Sequence, residues 1–235
     1  GWYKKALDTD LARPKFAIMN PEITYTLPDY QTQCGCADIM MHTMERYFVL
    51  EDTMEITDKI AQDVMKNVMK YAKILKKDPE NYEARAEIMW CGSLSHNGLT
   101  GCGTCGGDWA THLMEHELGG MFDVAHGAGL AAVWGSWARY VMDEKPERFA
   151  QFAVDVMGVE ESDDVKSTAL KGIEAVEEFY RMIEMPTNMK ELGINPTDEQ
   201  IKDMAMKATN HDTQQLGAFK KLSAKDLVEI YKTAK

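Results

Sequence analysis

The helical spacing of apolar residues, which begins near Thr32 and continues to the C-terminus, most constrains what this chain can fold into. The stretch from Met54 to Lys76 shows the pattern, with apolar residues three or four positions apart. Because no convincing strand pattern occurs after residue 30, the sequence predicts an all-α body. The first two helices are predicted over about 32–48 and 54–76. A third follows Asn81 and ends near residue 96, and a fourth begins after an Asp108 N-cap and carries His112. The remaining helices are predicted over about 126–142, 146–157, 163–183, 197–208 and 223–234.

Residues 1–30 differ in character from the body of the chain. Two short stretches, Lys15–Met19 and Ile23–Leu27, are apolar or β-branched and are bounded by prolines, which predicts extended backbone. Two strands without a sheet are only marginally stable. We therefore expect the segment to be the end of an upstream unit, with a separate helical domain from residue 31 to residue 235.

The composition excludes some classes of function. The formal net charge is −12 at pH 7, whereas a nucleic-acid surface needs clustered Lys and Arg. No apolar run reaches the roughly 18 residues of a membrane helix. The five cysteines show no spacing typical of a small disulfide scaffold, which favours reduced thiols in a cytoplasmic protein. We therefore expect a cytoplasmic protein that binds neither nucleic acid nor membrane.

Five metal-competent side chains fall into two short stretches. His112 and His116 are four residues apart and therefore project from one face of a helix, and His126 follows ten residues after His116. Asp38 and His42 repeat the spacing of four on an earlier helix. Neutral imidazoles and a carboxylate suit Fe²⁺ or Zn²⁺, whose sites can leave a position open for substrate. The two stretches therefore predict a metal centre where these helices meet.

Two other interpretations stay open from the residues alone. The stretch His112–His116 matches the H-x-x-E-H pattern of inverted-zincin metallopeptidases, in which Glu115 would be the general base. That interpretation gives no role to Asp38, His42 or His126. A metal-binding or assembly module without activity of its own is the other hypothesis.

The Gly-rich segment before the His112 helix resembles a nucleotide-binding loop only superficially. Gly101–Gly106 spells G-x-G-x-x-G, but a predicted helix precedes it and no parallel strand follows, so we reject a dinucleotide site there. A turn that lets helices approach closely is the better interpretation. The cysteines at positions 34, 36, 91, 102 and 105 are expected to be small buried residues rather than metal ligands. Trp109 is expected either in the core or in a pocket wall.

The motifs together resemble those of a known family. Asp38-x-x-x-His42, followed by His112-x-x-x-His116 and by His126, is similar to the C-terminal domain of the iron-containing alcohol dehydrogenases, especially the butanol dehydrogenase or NADPH-dependent aldehyde reductase type. The likeness covers essentially all 235 residues. The stretches that also agree are Arg13–Glu22, Thr24–Pro28, Pro79–Tyr82 and Gly107–His112.

This resemblance implies a fold and a site. The fold is the all-α C-terminal domain of the dehydroquinate synthase-like architecture over residues 31–235, preceded in residues 1–30 by an extended remnant of an α/β dinucleotide-binding domain. The implied metal ligands are Asp38, His42, His112 and His126. His116 would be a catalytic histidine that is not a ligand, near the reacting carbon and the nicotinamide, and a candidate for proton relay.

The resemblance also implies a reaction. It is reversible hydride transfer between NAD(P)H and a small alcohol or aldehyde, with Fe²⁺, or alternatively Zn²⁺, as the Lewis acid. The full-length protein is expected to be a homodimer. Family members carry an α/β cofactor domain with a Gly-Gly-Gly-Ser loop ahead of the helical domain, and this sequence contains neither. We therefore expect the chain to bind metal but not, by itself, to hold NAD(P) tightly or to turn over.

Overall fold

Nine α-helices make up the body of the described chain. The structure is a computed structural model, and it describes residues 4, 7, 9–51 and 55–235. The helices are α1 (Asp29–Tyr47), α2 (Glu55–Leu75), α3 (Tyr82–His96), α4 (Ala110–Phe122), α5 (His126–Val141), α6 (Pro146–Asp155), α7 (Val165–Met182), α8 (Asp198–Ala208) and α9 (Ala224–Thr233). Every predicted helix is present, and within the described residues the only β pairing is an isolated bridge between Leu216 and Leu222. The prediction of an all-α body is confirmed.

Several helices begin at side chains that cap their first turn. Asn81 accepts a hydrogen bond from the backbone N–H of Ala84, 3.0 Å away, at the start of α3. Asp164 caps α7 in the same way, through two backbone N–H groups. Thr197 and Ser223 each form a capping box with the residue three positions later, at the starts of α8 and α9. These helix ends are therefore determined by local sequence.

The N-terminal segment corrects one prediction. The expectation that Ile23–Leu27 is extended is wrong, because Pro21–Thr24 forms a 3₁₀ helix and a turn follows it. Asn20 caps that 3₁₀ helix with a side-chain hydrogen bond of 3.1 Å, and the proline already has a suitable φ. Lys15–Met19 has no regular secondary structure and is exposed. No sheet in the described residues offers either stretch a partner, so local capping decides the conformation. The domain boundary near residue 30 stays a prediction.

Helix α5 lies at the centre of the core. Every residue from Gly127 to Gly135 is buried, and the helix packs against α1, α4, α7 and α9. Phe48, which follows α1, extends the core toward α6 through rings whose centroids lie 4.3–6.3 Å away. Those rings belong to Trp134, Trp137, Phe149 and Phe152. In the described part of the chain, no helix combines the length and the apolarity needed to cross a membrane.

Candidate metal centre

Asp38 lies in the middle of the predicted metal site. Its Oδ1 atom is 3.0 Å from Nδ1 of His42 and 3.5 Å from Nε2 of His112. The same oxygen is 3.6 Å from Nε2 of His126. Ligand atoms about 2.0–2.2 Å from a tetrahedral metal are roughly 3.4 Å from one another, so these separations suit a single ion. The donor atoms of Asp38, His42 and His112 also lie within 4.8 Å of one another, and His126 approaches this group at Asp38. The assignment of these four residues as ligands stays a prediction.

Three helices supply these side chains. Asp38 and His42 lie one turn apart on α1. His112 lies in the first turn of α4, and α5 begins with His126. The close approach of α5 to α1 requires a glycine, because a Cβ at Gly127 would overlap the α1 backbone. The position of His126 beside α1 therefore depends on the residue that follows it.

Two polar atoms at this centre are buried without a hydrogen-bond partner among the described residues. They are Oδ1 of Asp38 and Nε2 of His112. Leaving such atoms unpaired costs free energy, and a cation bound between them removes that cost. Carboxylate and imidazole are also ligands that Fe²⁺ and Zn²⁺ accept. The residues present therefore fit a divalent metal ion.

The buried charges shift the pKa values of this centre in opposite directions. Burial works to lower the pKa of His112, but the Glu45 charge, the nearby Asp38 carboxylate and the hydrogen bond to Glu45 outweigh it and raise this pKa to about 9. Burial works to raise the pKa of Asp38, but the nearby imidazoles of His112 and His42 outweigh it and hold this pKa well below its usual range. In the metal-free chain a proton on His112 therefore compensates the carboxylates, and metal binding would release it.

Glu45, which the sequence patterns did not single out, supports the candidate ligand His112. Its carboxylate is fully buried, and Oε2 accepts a hydrogen bond from Nδ1 of His112 at 2.6 Å. Oε1 accepts from the backbone N–H groups of Thr111 and His112, at 2.8 Å and 3.2 Å. A carboxylate on Nδ1 fixes the tautomer that leaves Nε2 free for a metal. The available signal was spacing, since Glu45 follows Asp38 by seven residues and His42 by three on the same face of α1.

His116, the predicted catalytic residue, lies one helical turn beyond His112 and is not among the side chains that approach the Asp38 oxygen. Its ring centroid is 5.7 Å from that of His126. Burial, followed by the nearby charge of Lys4, lowers the pKa of His116 to about 4. The imidazole is therefore neutral at pH 7 and can accept a hydrogen bond beside the metal centre.

Aromatic rings cover the His42 side of the centre. The Trp109 ring centroid lies 5.7 Å from that of His42 and 5.4 Å from that of His112, so this tryptophan forms a wall of the site. The guanidinium of Arg46 lies over the indole ring of Trp109, 4.6 Å from the ring centroid. His96, which the sequence reasoning did not single out, has its ring centroid 3.8 Å from that of His42. These rings line the His42 side of the centre.

The Gly-rich segment forms turns rather than a nucleotide-binding loop. Gly101 is the last residue of a short 3₁₀ helix (Leu99–Gly101), and the residues after it lead to α4, with no strand in the described residues beside them. One glycine after it is structurally required, because Gly107 has φ +118° and a Cβ there would lie 2.8 Å from the Trp109 indole nitrogen. The expectation of buried cysteines holds for positions 34, 36 and 91 and is wrong for Cys102 and Cys105, which are exposed on these turns.

The peptidase interpretation of the H-x-x-E-H stretch is not supported. Among the described residues, the metal-competent atoms form two groups, Asp38 with His42 and His112, and Glu115 with His116 and His126. The two histidines of the motif thus face different groups. Glu115 is fully buried, and its Oε2 atom accepts hydrogen bonds from His126 and Lys4, so it is not placed as an exposed general base for a water molecule.

Comparison with protein families gives a match over most of the chain. Residues 32–235 match the model of the Fe-containing alcohol dehydrogenase family, C-terminal. NADH-dependent butanol dehydrogenase A of Clostridium acetobutylicum is 34% identical over 230 residues, which cover 97% of this chain and 58% of that protein. The NADPH-dependent aldehyde reductase YqhD of Escherichia coli is 31% identical over 233 residues, which cover 99% of this chain and 59% of that protein.

Solved structures show the same relationship. The crystal structure of NADH-dependent butanol dehydrogenase A from Thermotoga maritima matches with a TM-score of 0.89 at 33% identity, and the match covers 97% of this chain and 58% of that one. The chain therefore spans 58–59% of the length of these relatives.

Proposed function

Because this chain belongs to the iron-containing alcohol dehydrogenase family and matches its C-terminal domain over residues 32–235, we propose that it is the metal-binding part of an enzyme that interconverts small alcohols and aldehydes. The observation that carries this proposal is the convergence of three imidazole nitrogens on Oδ1 of Asp38, at 3.0–3.6 Å. The substrate class is supported by the relatives, one named as a butanol dehydrogenase and another as an aldehyde reductase.

The four converging side chains would hold the metal ion, with Fe²⁺ proposed first from the family and Zn²⁺ as the alternative. When bound, the ion supplies the Lewis acidity that polarises a carbonyl group or acidifies an alcohol. Glu45 keeps the Nδ1 proton of His112 in place, so that Nε2, which faces Asp38, is the nitrogen that gives up its proton and becomes the metal donor. The chain thereby holds its donor atoms in position before the metal ion arrives, which reduces the reorganisation that binding requires.

His116 is proposed to handle the proton of the reaction. It is one helical turn from His112 and contacts His126, so it lies at the edge of the metal centre without belonging to the Asp38 group. Its lowered pKa keeps the imidazole neutral at pH 7. A neutral ring can accept a hydrogen bond from a substrate hydroxyl at one nitrogen and pass the proton on through the other.

The hydride partner and the cellular context are further parts of the proposal. The relatives' names give NADH and NADPH, and Gly101–Gly106 does not form a strand–turn–helix cradle for either. A cytoplasmic location is supported by the five free thiols. The homodimer is proposed for the full-length protein only.

Metal analysis of single variants tests the ligand set. We expect the purified chain to bind one equivalent of Fe²⁺ or Zn²⁺, and Asp38→Ala and His126→Ala to lose it, because each removes a converging donor. His116→Ala should retain the metal. His211→Ala is a matched control, since this exposed histidine lies outside the cluster. Loss of metal from His116→Ala with retention by Asp38→Ala would contradict the proposal and favour a different ligand set.

A separate assay addresses the reaction. Butanol-dependent reduction of NAD⁺ or NADP⁺ is measured with the metal-loaded chain alone and after the remaining part of the Clostridium relative is added. We expect turnover in the combined sample and its loss in the Asp38→Ala variant. A chain that binds metal and shows no activity in either sample would favour a metal-binding or assembly module.

A further inference from the structure

Glu115 is a fully buried carboxylate that the proposed mechanism leaves without a task. Its Oε2 atom accepts a hydrogen bond from Nδ1 of His126 and another from Nζ of Lys4, which is 3.0 Å away. Nε2 of the same imidazole lies 3.6 Å from Oδ1 of Asp38. Glu115 therefore contacts one ring nitrogen of His126, a proposed ligand, while the other ring nitrogen faces Asp38 and the proposed metal position.

Two glycines make the space that this side chain occupies. A Cβ at Gly129 on α5 would lie 2.8 Å from Cγ of Glu115, closer than a real Cβ atom approaches a neighbour. A Cβ at Gly119 on α4 would lie 3.1 Å from Oε1 of Glu115 and 3.1 Å from Nζ of Lys4. The surrounding helices are thus shaped around the Glu115 and Lys4 side chains.

The arrangement parallels that of Glu45 and His112 on the other side of the centre. In both pairs a fully buried carboxylate accepts the Nδ1 hydrogen of a proposed ligand. The charge of Glu45 is stabilised by two backbone N–H groups in the first turn of α4. Glu115 lacks such backbone donors among the described residues, and the ammonium of Lys4 takes their place. The Lys4 side chain is 36% exposed, whereas the Glu115 side chain is completely buried.

We propose that Glu115 positions His126 for metal binding and that Lys4 is the counter-ion of Glu115, so that Lys4 forms part of the metal centre. This inference rests on the metal site of the proposed function. Glu115 holds the proton on Nδ1 and thereby leaves the Nε2 lone pair toward Asp38. Lys4 compensates a carboxylate that would otherwise be buried without a partner of opposite charge when no metal ion is bound.

The same cluster has the composition of a second metal site, because donor atoms of Glu115, His116 and His126 lie within 4.8 Å of one another. The position of Lys4 argues against that use. Its ammonium lies 3.0 Å from the Glu115 carboxylate and 3.2 Å from Nδ1 of His126, where it supplies the positive charge that the cluster requires. We therefore assign Lys4 as the cation of the Glu115 cluster and place the metal ion in the Asp38 cluster.

The positioning role of Glu115 is tested by Co²⁺ binding to the chain, measured by competition with a chromogenic chelator and by the absorption bands that report coordination. Glu115→Ala removes the acceptor and the charge, and we expect Co²⁺ affinity to fall about 10- to 100-fold. Glu115→Gln keeps the volume and one acceptor, and its affinity should lie between those of Glu115→Ala and the unmodified chain. Glu160→Gln, an exposed loop residue, is the matched control and should leave the affinity unchanged.

The counter-ion role of Lys4 is tested by a thermodynamic cycle. Lys4→Met should lower the melting temperature of the metal-free chain, because it leaves the Glu115 carboxylate uncompensated. The same change should tighten Co²⁺ binding by about tenfold, because a neighbouring cation no longer repels the divalent ion. In the Glu115→Gln background the loss of stability should disappear. Lys4→Arg should behave like the unmodified chain, and Lys15→Met provides an exposed control in the same segment.

Two results would overturn the inference. One is unchanged Co²⁺ affinity in Glu115→Ala, and the other is a Lys4→Met variant that cannot be distinguished from Lys15→Met. Binding of two Co²⁺ equivalents, one of them lost in Glu115→Ala, would also overturn it by assigning the cluster to a second metal ion. Failure of the unmodified chain to bind Co²⁺ is distinguishable from these results, because it would overturn the proposed function itself.

Discussion

At the scale of single residues, buried carboxylates determine the charge balance of the candidate metal centre. Asp38 is the only carboxylate among the four converging side chains, and it faces three imidazole nitrogens. Glu45 lies behind His112, where it fixes the ring orientation and contributes to raising the pKa of that histidine to about 9. Each buried negative charge needs a nearby positive charge, which a proton provides in the metal-free chain and a divalent ion would provide after binding.

Replacement of Glu45 by glutamine tests this balance. Glu45→Gln removes the charge behind His112 and allows the imidazole to adopt the other tautomer, in which Nε2 carries the hydrogen. We expect Zn²⁺ affinity to fall by about 10- to 100-fold, measured by competition titration. Glu160→Gln, far from the centre on an exposed loop, serves as the control. An unchanged affinity in Glu45→Gln would show that packing alone orients His112.

Helix α4 is the element on which the site depends most. Its start is determined by an unusual backbone, since Trp109 has φ 64° and Gly107 has φ 118°. Asp108 ties that start to the turn before α9, because its Oδ2 accepts hydrogen bonds from the backbone N–H groups of Ala218 and Phe219, at 2.7 Å and 2.8 Å. The far side of α4 packs on α8 and carries Glu117, which is buried. The helix is thus held at its start and along its outer face while its inner face carries the histidines.

The stability of the α4–α8 contact should depend on pH through Glu117. Burial raises the pKa of Glu117 from its ordinary 4.5 to about 6, although the charge of Lys207 opposes this. Because the folded pKa is the higher one, protonated Glu117 contributes stability below about pH 4.5, and that contribution is lost as the pH rises through about 6. Relative to Glu117→Gln, the free energy of unfolding of the unmodified chain should fall by about 1–2 kcal/mol between about pH 4 and about pH 7.

Urea unfolding of the two proteins at both pH values measures this difference directly, and pH effects elsewhere in the chain cancel in the comparison. Glu160→Gln should show no such change. A difference that stays constant with pH would mean that Glu117 titrates normally at its position on α4.

At the scale of the whole molecule, the metal centre joins helices that are far apart in the sequence. α1, α4 and α5 meet at Asp38, His112 and His126, and α5 is also the buried centre of the core. A ligand that binds only the folded chain stabilises it by mass action. A metal ion bound there would therefore stabilise the core as well as the site.

Metal binding should consequently raise the melting temperature. At a metal concentration about 100 times the dissociation constant, the expected stabilisation is about 2.7 kcal/mol, which corresponds to a rise of about 5–10 °C in a chain of this size. Differential scanning fluorimetry with Zn²⁺, and then with excess chelator, measures the rise and its reversal. His211→Ala should show the same rise as the unmodified chain, whereas a rise of equal size in Asp38→Ala would show that the metal binds elsewhere.

The helices and the candidate ligands were predictable because both depend on short spacings. Caps such as Asn81 and Thr197 act within one turn, and the apolar stripes repeat every three or four residues. The pair of Asp38 and His42 was likewise visible from its spacing of four. Ile23–Leu27 was wrongly predicted as extended because its β-branched composition was given more weight than the capped 3₁₀ helix at Pro21–Thr24.

The sequence by itself determined the all-α body, most helix ends and the residue types that gather at the metal centre, since these follow from contacts within a turn or two of helix. Only the tertiary structure decided which carboxylate supports which histidine. Glu45 and His112 are 67 positions apart, and Lys4 and His126 are 122 positions apart. Their contacts arise from the packing of α1, α4 and α5 and from the gaps left by Gly127 and Gly129. No spacing within one helix encodes such contacts, because they depend on how the helices approach one another.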